Sequence, residues 1–245
     1  MTGEGKRFME ATRFGELAPS PQMLGRSPPP LEIAPDADKS LISLPEAGGL
    51  EMDSVDLKMA INSRHSERNF TTSPLSLQNL AWLLWATQGV KKVMDDVATF
   101  RTVPSAGARH AFETYLSIGN VEGLEQGLYR YLALEHSLVE EQQDENIMSK
   151  VAHACLDQPF VHNCGAVFIW VAVSERMAWR YGERGYRYLH LDAGHVCQNL
   201  YLASQAVKCG VCAVAAFKDD ELNSLLGLDG DKHFVVYLAA VGKRD

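Results

Sequence analysis

Apolar positions along this chain fall into runs of distinct period, and each run predicts an element. In "SPLSLQNLAWLLWATQGV", Leu77, Leu80, Leu83 and Leu84 recur at helical spacing, Ser76 offers an N-cap and Gly89 a stop. "DSVDLKMAINSR" predicts a shorter, partly amphipathic helix, with Asp53 or Ser54 as cap and Val55, Leu57, Met59, Ala60 and Ile61 as its apolar residues. "AFETYLSIG" and "GLYRYLALE" alternate, with turn residues Gly119, Asn120 and Gly123 between them, and predict an antiparallel strand pair. "CGAVFIWVAVS" is continuously apolar, as a central strand buried on both faces would be. A long helix is expected from Tyr186 to Val207, then Gly210 ahead of a strand "VCAVAAF", a short helix "KDDELNSLLG" and a last strand "FVVYLAAVG". Strands mixed with helices, without regular βαβ alternation, predict an α+β fold with a sheet sandwiched by helices.

The proline distribution divides the chain. Seven of its ten prolines precede residue 50, so residues 1–50 read as an extended arm lying on its own surface or a partner's, and residues 51–245 as the globular domain, starting near Asp53. At 245 residues the chain is one large domain or two small ones and needs no disulfide or metal to fold. No internal repeat is visible.

Charge and cysteine content narrow the classes. A net charge of −8 argues against a general nucleic-acid binder. Without an apolar membrane-span run or a signal-peptide core, the chain is expected to be soluble and cytoplasmic. The five cysteines (Cys155, Cys164, Cys197, Cys209, Cys212) are expected to be reduced, buried packing residues. Cys209–Cys212 and the three His-x-Cys pairs lack the closely spaced double pairs and tight turns of a zinc site.

Against the acidic background, "INSRHSERNF" (61–70) stands out, because Arg64, His65 and Arg68 repel one another. An anion should compensate them, either a carboxylate of the protein or a ligand. Guanidinium groups hold phosphate bidentately, and Ser66 suits a hydroxyl or phosphate partner. In "RTVPSAGARH", Ser105, Ala106 and Gly107 are small enough for a flat ligand to approach the backbone. Lys243 and Arg244 end the last strand with two more anion-seeking groups. The chain has no G-x-G-x-x-G after a strand, no Walker loop, no H-E-x-x-H and no G-x-S-x-G, which removes the leading dinucleotide, triphosphatase, metalloprotease and serine-hydrolase readings.

Taken in order, "SRHSERNF", "PLSLQNLAWLLWATQGV", "VPSAGARHAFETYL", "RYLHLDAGHVCQNLYLA", "AVAAFKDDELNSLLGLDG" and "VVYLAAVG" resemble the nitroreductase superfamily of flavoproteins, and within it the branch of SagB-type azoline dehydrogenases. The resemblance implies a central, mostly antiparallel sheet, an intertwined homodimer and one FMN per site at the interface. By position, Arg64 would contact the phosphate or ribityl chain, and His65 and Ser66 the ribityl hydroxyls. Arg68 would face N1 and the C2 carbonyl of the ring, and Pro104, Ser105, Ala106 and Gly107 would come from the other subunit. Ala215 and Ala216 would offer backbone N–H groups near N5 and O4, Ala215 standing where the family is expected to carry glycine. Lys243 and Arg244 would close on the phosphate. The implied reaction is hydride transfer from NADH or NADPH to a nitroaromatic, a quinone or a similar acceptor, with Arg68 tuning the flavin; Tyr181 is the candidate proton donor of the azoline alternative. Azoline oxidation is the alternative, and a flavin-binding scaffold without turnover is a third reading. The azoline branch uses a Lys-Tyr pair where this chain has Arg180-Tyr181, and an arginine is a poor proton acceptor. Residues 140–160 and 174–186 are the expected substrate lid.

Overall fold

The computed structural model describes residues 3–49, 52–95 and 97–244. Its helices are α1 (Glu4–Ala11), α2 (Leu57–Ser63), α3 (Leu77–Gln88), α4 (Ile147–Ala154), α5 (Pro159–His162), α6 (Ser174–Tyr181), α7 (Gly185–Ala203) and α8 (Asp219–Leu225). Its strands are β1 (Leu41–Ser43), β2 (Val90–Met94), β3 (Ala98–Arg101), β4 (Phe112–Ile118), β5 (Gly127–Leu132), β6 (Ser137–Gln143), β7 (Ala166–Val173), β8 (Cys209–Val214) and β9 (His233–Lys243). Seven strands form one sheet in the order β1-β6-β5-β4-β7-β9-β8, with every pairing antiparallel, and β2 and β3 form a separate hairpin. The fold is α+β, as expected.

β7 shows why its sequence is continuously apolar. Ala166, Phe168, Trp170 and Ala172 point to the side that holds α3 and α7, while Val167, Ile169 and Val171 point to the side that holds α4 and α8. Both faces of the strand are covered, so neither residue parity can be polar. The β4–β5 pair forms at the predicted place, and Gly123 in its connection has a φ of +79°. α3 has the predicted ends: the Ser76 hydroxyl accepts from the Asn79 N–H, and Gly89 follows the last turn.

Four expectations need correction. The cap of α2 is Asp56, whose carboxylate accepts from the Met59 N–H at 2.9 Å; Asp53 and Ser54 lie in the extended chain before it. Only Ala60 of α2 is buried, and Leu57, Met59 and Ile61 face outward, so the helix presents an apolar surface rather than burying one. α7 ends at Ala203 and continues to Val207 as a 3-10 turn, after which left-handed Lys208 leads into β8. Gly210 lies inside β8, and the strand stops at Val214, leaving Ala215 and Ala216 beyond it.

The N-terminal segment lies on its own chain. It is not extended throughout, contrary to the expectation from its proline content: α1 and a 3-10 turn (Phe14–Glu16) precede the prolines, and the chain turns where the Leu24 N–H donates to the Ser20 carbonyl and the Arg26 N–H to that of Pro21, before it passes α6 and reaches the sheet. Its peptide groups are held by buried side chains: the Ile33 N–H donates to Glu113, Arg130 and Arg176 donate to the carbonyls of Ile33 and Pro30, and Trp179 donates to that of Arg26. Glu113 also carries the charges of Arg176 and Arg130, so the clasp is built around one buried carboxylate. β1 then adds itself to the edge of β6.

Candidate functional site

The basic loop after α2 is laid along the outer edge of β8 and the end of β9. The Glu67 N–H donates to the Val211 carbonyl and the Thr71 N–H to the Lys243 carbonyl, both at 2.9 Å. Close approach is possible because Gly210 and Gly242, cross-strand partners, have no side chains there. A Cβ on Gly210 would lie 2.5 Å from Glu67, and one on Gly242 2.7 Å from the Phe70 ring.

Compensation for the basic cluster comes first from within. The Glu67 carboxylate accepts from the N–H groups of Arg68 (2.9 Å) and Asn69 (2.8 Å) and meets His65 Nε2 at 3.1 Å. These peptide N–H groups and His65 hold the Glu67 carboxyl below its ordinary value, while the Ser63 carbonyl and Glu67 raise that of His65. The guanidinium groups of Arg64 and Arg68 form no ion pair with this carboxylate. Arg64 lies over the Tyr201 ring at 5.3 Å and Arg68 over Phe160 at 5.7 Å. Lys243 donates to the Val207 carbonyl and Arg244 to the Gln205 amide oxygen. Among the described residues, four cations of an acidic protein thus surround this loop with no carboxylate partner.

Two α7-side residues that the sequence reading did not assign to the site bind the group together. Tyr201 Oη accepts from the Ala213 N–H at 2.9 Å and meets Ser66 Oγ at 3.1 Å. Gln205 Oε1 accepts from both Ser63 and Arg244. Past β8, Ala215 and Ala216 are exposed, and neither N–H donates a hydrogen bond among the described residues; the Ala216 carbonyl takes Gln158, two residues before the Phe160 that Arg68 covers. Arg64, His65, Ser66, Arg68, Lys243, Arg244 and the Ala215–Ala216 turn therefore belong to one locus.

Pro104, Ser105, Ala106 and Gly107 belong to a second. The buried Asp192 carboxylate accepts from the Ala106 N–H, and Ser105 Oγ accepts from the His110 N–H. Gly107 has a φ of +57°, and a Cβ there would lie 2.6 Å from both the Arg180 side chain and Tyr181 Oη. The Tyr181 hydroxyl, half-buried, makes no hydrogen bond among the described residues. Both loci hang on α7, through Asp192 and Tyr201. Nine helical steps separate those two by about 13 Å of rise and about two and a half turns, so they point to opposite sides.

Residues 61–243 match the Nitroreductase family. This chain belongs to the nitroreductase family. A protein of Methanocaldococcus jannaschii assigned to the nitroreductases is 36% identical over 207 residues, covering 84% of this chain and 98% of that one. The trifolitoxin-processing protein TfxB of Rhizobium leguminosarum bv. trifolii is 31% identical over 133 residues, 53% of this chain and 36% of its own. Among solved structures, one from Ralstonia eutropha assigned as a nitroreductase covers 89% of this chain and 95% of its own, with a TM-score of 0.69 and 22% identity. Another, from Desulfovibrio desulfuricans and in complex with FMN, covers 78% and 87%, with a TM-score of 0.54 and 17% identity. As a nitroreductase-family protein, the chain has an oxidoreductase fold. No helix among its described residues is long and apolar enough to cross a membrane.

The five cysteines pack in the interior of this nitroreductase fold. Burial pushes the thiols of Cys155, Cys164 and Cys197 up to about 12 and that of Cys209 to about 11. Among the described residues, no group of three His, Cys, Asp or Glu side chains is placed to share a metal.

Proposed function

We propose that this protein is an FMN-dependent oxidoreductase that passes a hydride from NADH or NADPH to a nitroaromatic, a quinone or a similar acceptor, and that it works as a homodimer. The observation that carries the reading is the gathering of Arg64, Arg68, Lys243 and Arg244, without carboxylate partners among the described residues, beside the N–H groups of Ala215 and Ala216, which donate to none of those residues. A phosphate suits these cations, and a flat polar ring edge suits the peptide donors. Arg64, Lys243 and Arg244 would hold the phosphate, His65 and Ser66 the ribityl chain, Arg68 the pyrimidine side of the ring, and Ala215 and Ala216 its carbonyl edge. When bound, FMN supplies a ring that accepts and returns a hydride.

The protein's own groups position and tune. Arg68 places positive charge where the reduced ring is anionic and favours its reduction. Tyr181 holds a free phenol over Gly107 and would deliver a proton to the acceptor. With the two loci on opposite sides of α7, a second copy would supply Pro104–Gly107 to the locus of Arg64. The outward apolar face of α2 (Leu57, Met59, Ile61) gives that copy a surface to bury.

Azoline oxidation is a second reading, supported by the match to the trifolitoxin-processing protein. Against it, the chain carries Arg180 beside Tyr181 where the resemblance implies a lysine, and a guanidinium is a poor proton acceptor.

The decisive experiment is a visible absorption spectrum of the purified protein, followed by anaerobic addition of NADH and NADPH. A yellow protein that bleaches with nicotinamide and recovers with an acceptor supports the proposal. A yellow protein that never bleaches is a flavin-binding scaffold, and a colourless one that ignores added FMN removes the flavin altogether.

A further inference from the structure

A cavity of about 370 Å³ lies between the N-terminal segment and the start of the α6–α7 corner. Its far wall is apolar: Phe14, Leu17, Pro19 and Met23. Its near wall is Arg180, Tyr181 and Arg184. The volume falls in the range of small-molecule sites.

The charge of this cavity is one-sided. Arg184 is spent on structure: it lies between the rings of Phe14 and Tyr188 and donates to Tyr188 Oη and the Thr12 carbonyl, both at 2.7 Å. Arg109, behind Gly107, donates to the carbonyls of Gly107 and Val97 and lies over Trp179. Burial first, and then the charge of Arg180, hold its guanidinium below its ordinary value. Arg180 itself makes no hydrogen bond among the described residues, and its aliphatic stem rests on Gly107. None of the three pairs with a carboxylate among the described residues, in a chain of net charge −8. The wall is held in place because Arg187 also donates to Thr12 Oγ1 (2.6 Å), and the Gln22 N–H donates to the Trp179 carbonyl.

We propose that this cavity is the acceptor subsite and that it takes a flat, apolar molecule bearing a carboxylate. This inference rests on the flavin reading above. Phe14, Leu17 and Met23 cover the apolar body, Arg180, whose guanidinium lies over the Tyr181 ring at 5.7 Å and donates to no described residue, receives the carboxylate, and Tyr181 Oη stands beside the bound molecule. The N-terminal segment thereby becomes a wall of the substrate pocket, so specificity is set in part by residues outside the family-matched region 61–243.

The test compares 4-nitrobenzoate with its neutral isostere 4-nitrobenzamide as acceptors for the FMN-loaded protein. The wild type is expected to favour the carboxylate by about tenfold or more in kcat/KM, the scale of a charge-assisted hydrogen bond. Arg180→Gln should erase that ratio, and Arg180→Lys, which keeps the charge, should retain most of it. Equal use of both compounds by the wild type, or an unchanged ratio in Arg180→Gln, overturns the proposal. An Arg180-dependent preference for NADPH over NADH, without any preference between acceptors, overturns it too, because the charge then serves the reductant. Anaerobic bleaching by nicotinamide is recorded first. If it fails, the hydride-transfer reading is lost and the acceptor role with it, and the cavity is judged by calorimetry as a carboxylate site alone: 4-nitrobenzoate binding that depends on Arg180 sustains that site, and equal binding of both compounds ends it.

Discussion

Gly210 and Gly242 face each other across β8 and β9, and the space their methyl groups would fill is occupied by Glu67 and Phe70. This pair brings the basic loop onto the end of the sheet, so its removal should be felt at the cofactor. In Gly242→Ala the new Cβ would lie 2.7 Å from the Phe70 ring, and overpacking of this kind costs about 1–3 kcal/mol. Chemical denaturation should show that loss, and the purified variant should carry less FMN than the wild type. Unchanged stability and flavin content would separate the loop from the glycine pair.

Tyr201→Phe removes one oxygen that serves two partners. The Ala213 N–H loses its acceptor and Ser66 its neighbour. A part-buried peptide donor left without a partner costs about 1–3 kcal/mol. Lower denaturation midpoints and weaker FMN retention are expected together, because the same hydroxyl joins β8 to the loop. A variant that loses stability yet binds FMN as before would confine Tyr201 to the scaffold.

Arg68→Ala should make the flavin harder to reduce. A charge-assisted hydrogen bond from Arg68 to the reduced ring would be worth roughly 1.5–3 kcal/mol, which is about 30–60 mV for a two-electron couple. The midpoint potential of the variant, measured against a reference dye, should fall by that order. An unmoved potential would leave Arg68 a role in binding only.

Acid sensitivity should trace to His110. Burial first, and then the charges of Arg101 and Arg109, hold its imidazole down at about 3, against 6.5 when free. Between those values the unfolded chain binds a proton that the folded chain refuses, so folding stability falls as pH drops from about 6.5 towards 3, at about 1.4 kcal/mol per unit. His110 sits at a φ of +43°, a conformation asparagine tolerates. His110→Asn should therefore flatten the acid limb of stability against pH while leaving the neutral region nearly unchanged, as read by denaturation at a series of pH values.

What the sequence disclosed follows from how locally each feature is determined. The Ser76–Gly89 helix, the two-sided run of β7 and the β4–β5 pair are written in consecutive residues, and they stand where they were expected. The β2–β3 hairpin, β6, α4 and α6 were not singled out. β6 has a mixed pattern whose outer half is polar, and β2 exposes two adjacent lysines. α2 misled because outward apolar residues look like inward ones until a surface is known. The cations of the site could be picked from charge alone. Tyr201, Asp192, Gln205 and the glycine pair could not, since each acts on a segment distant in the chain. Glu67, in contrast, lay in the quoted cluster between His65 and Arg68, and its carboxylate was the signal for the compensation of His65.

The placement of β1 bears on behaviour at high concentration. The sheet has two rims: β1 occupies the one beside β6, and the loop carrying Glu67 occupies part of the one beside β8. A bare rim is a template on which a stray chain can grow by backbone pairing. Here the N-terminal segment pairs β1 with Ser137–Val139, three of the seven residues of β6, and turns outward a strand so short that it offers a stray chain little to pair with.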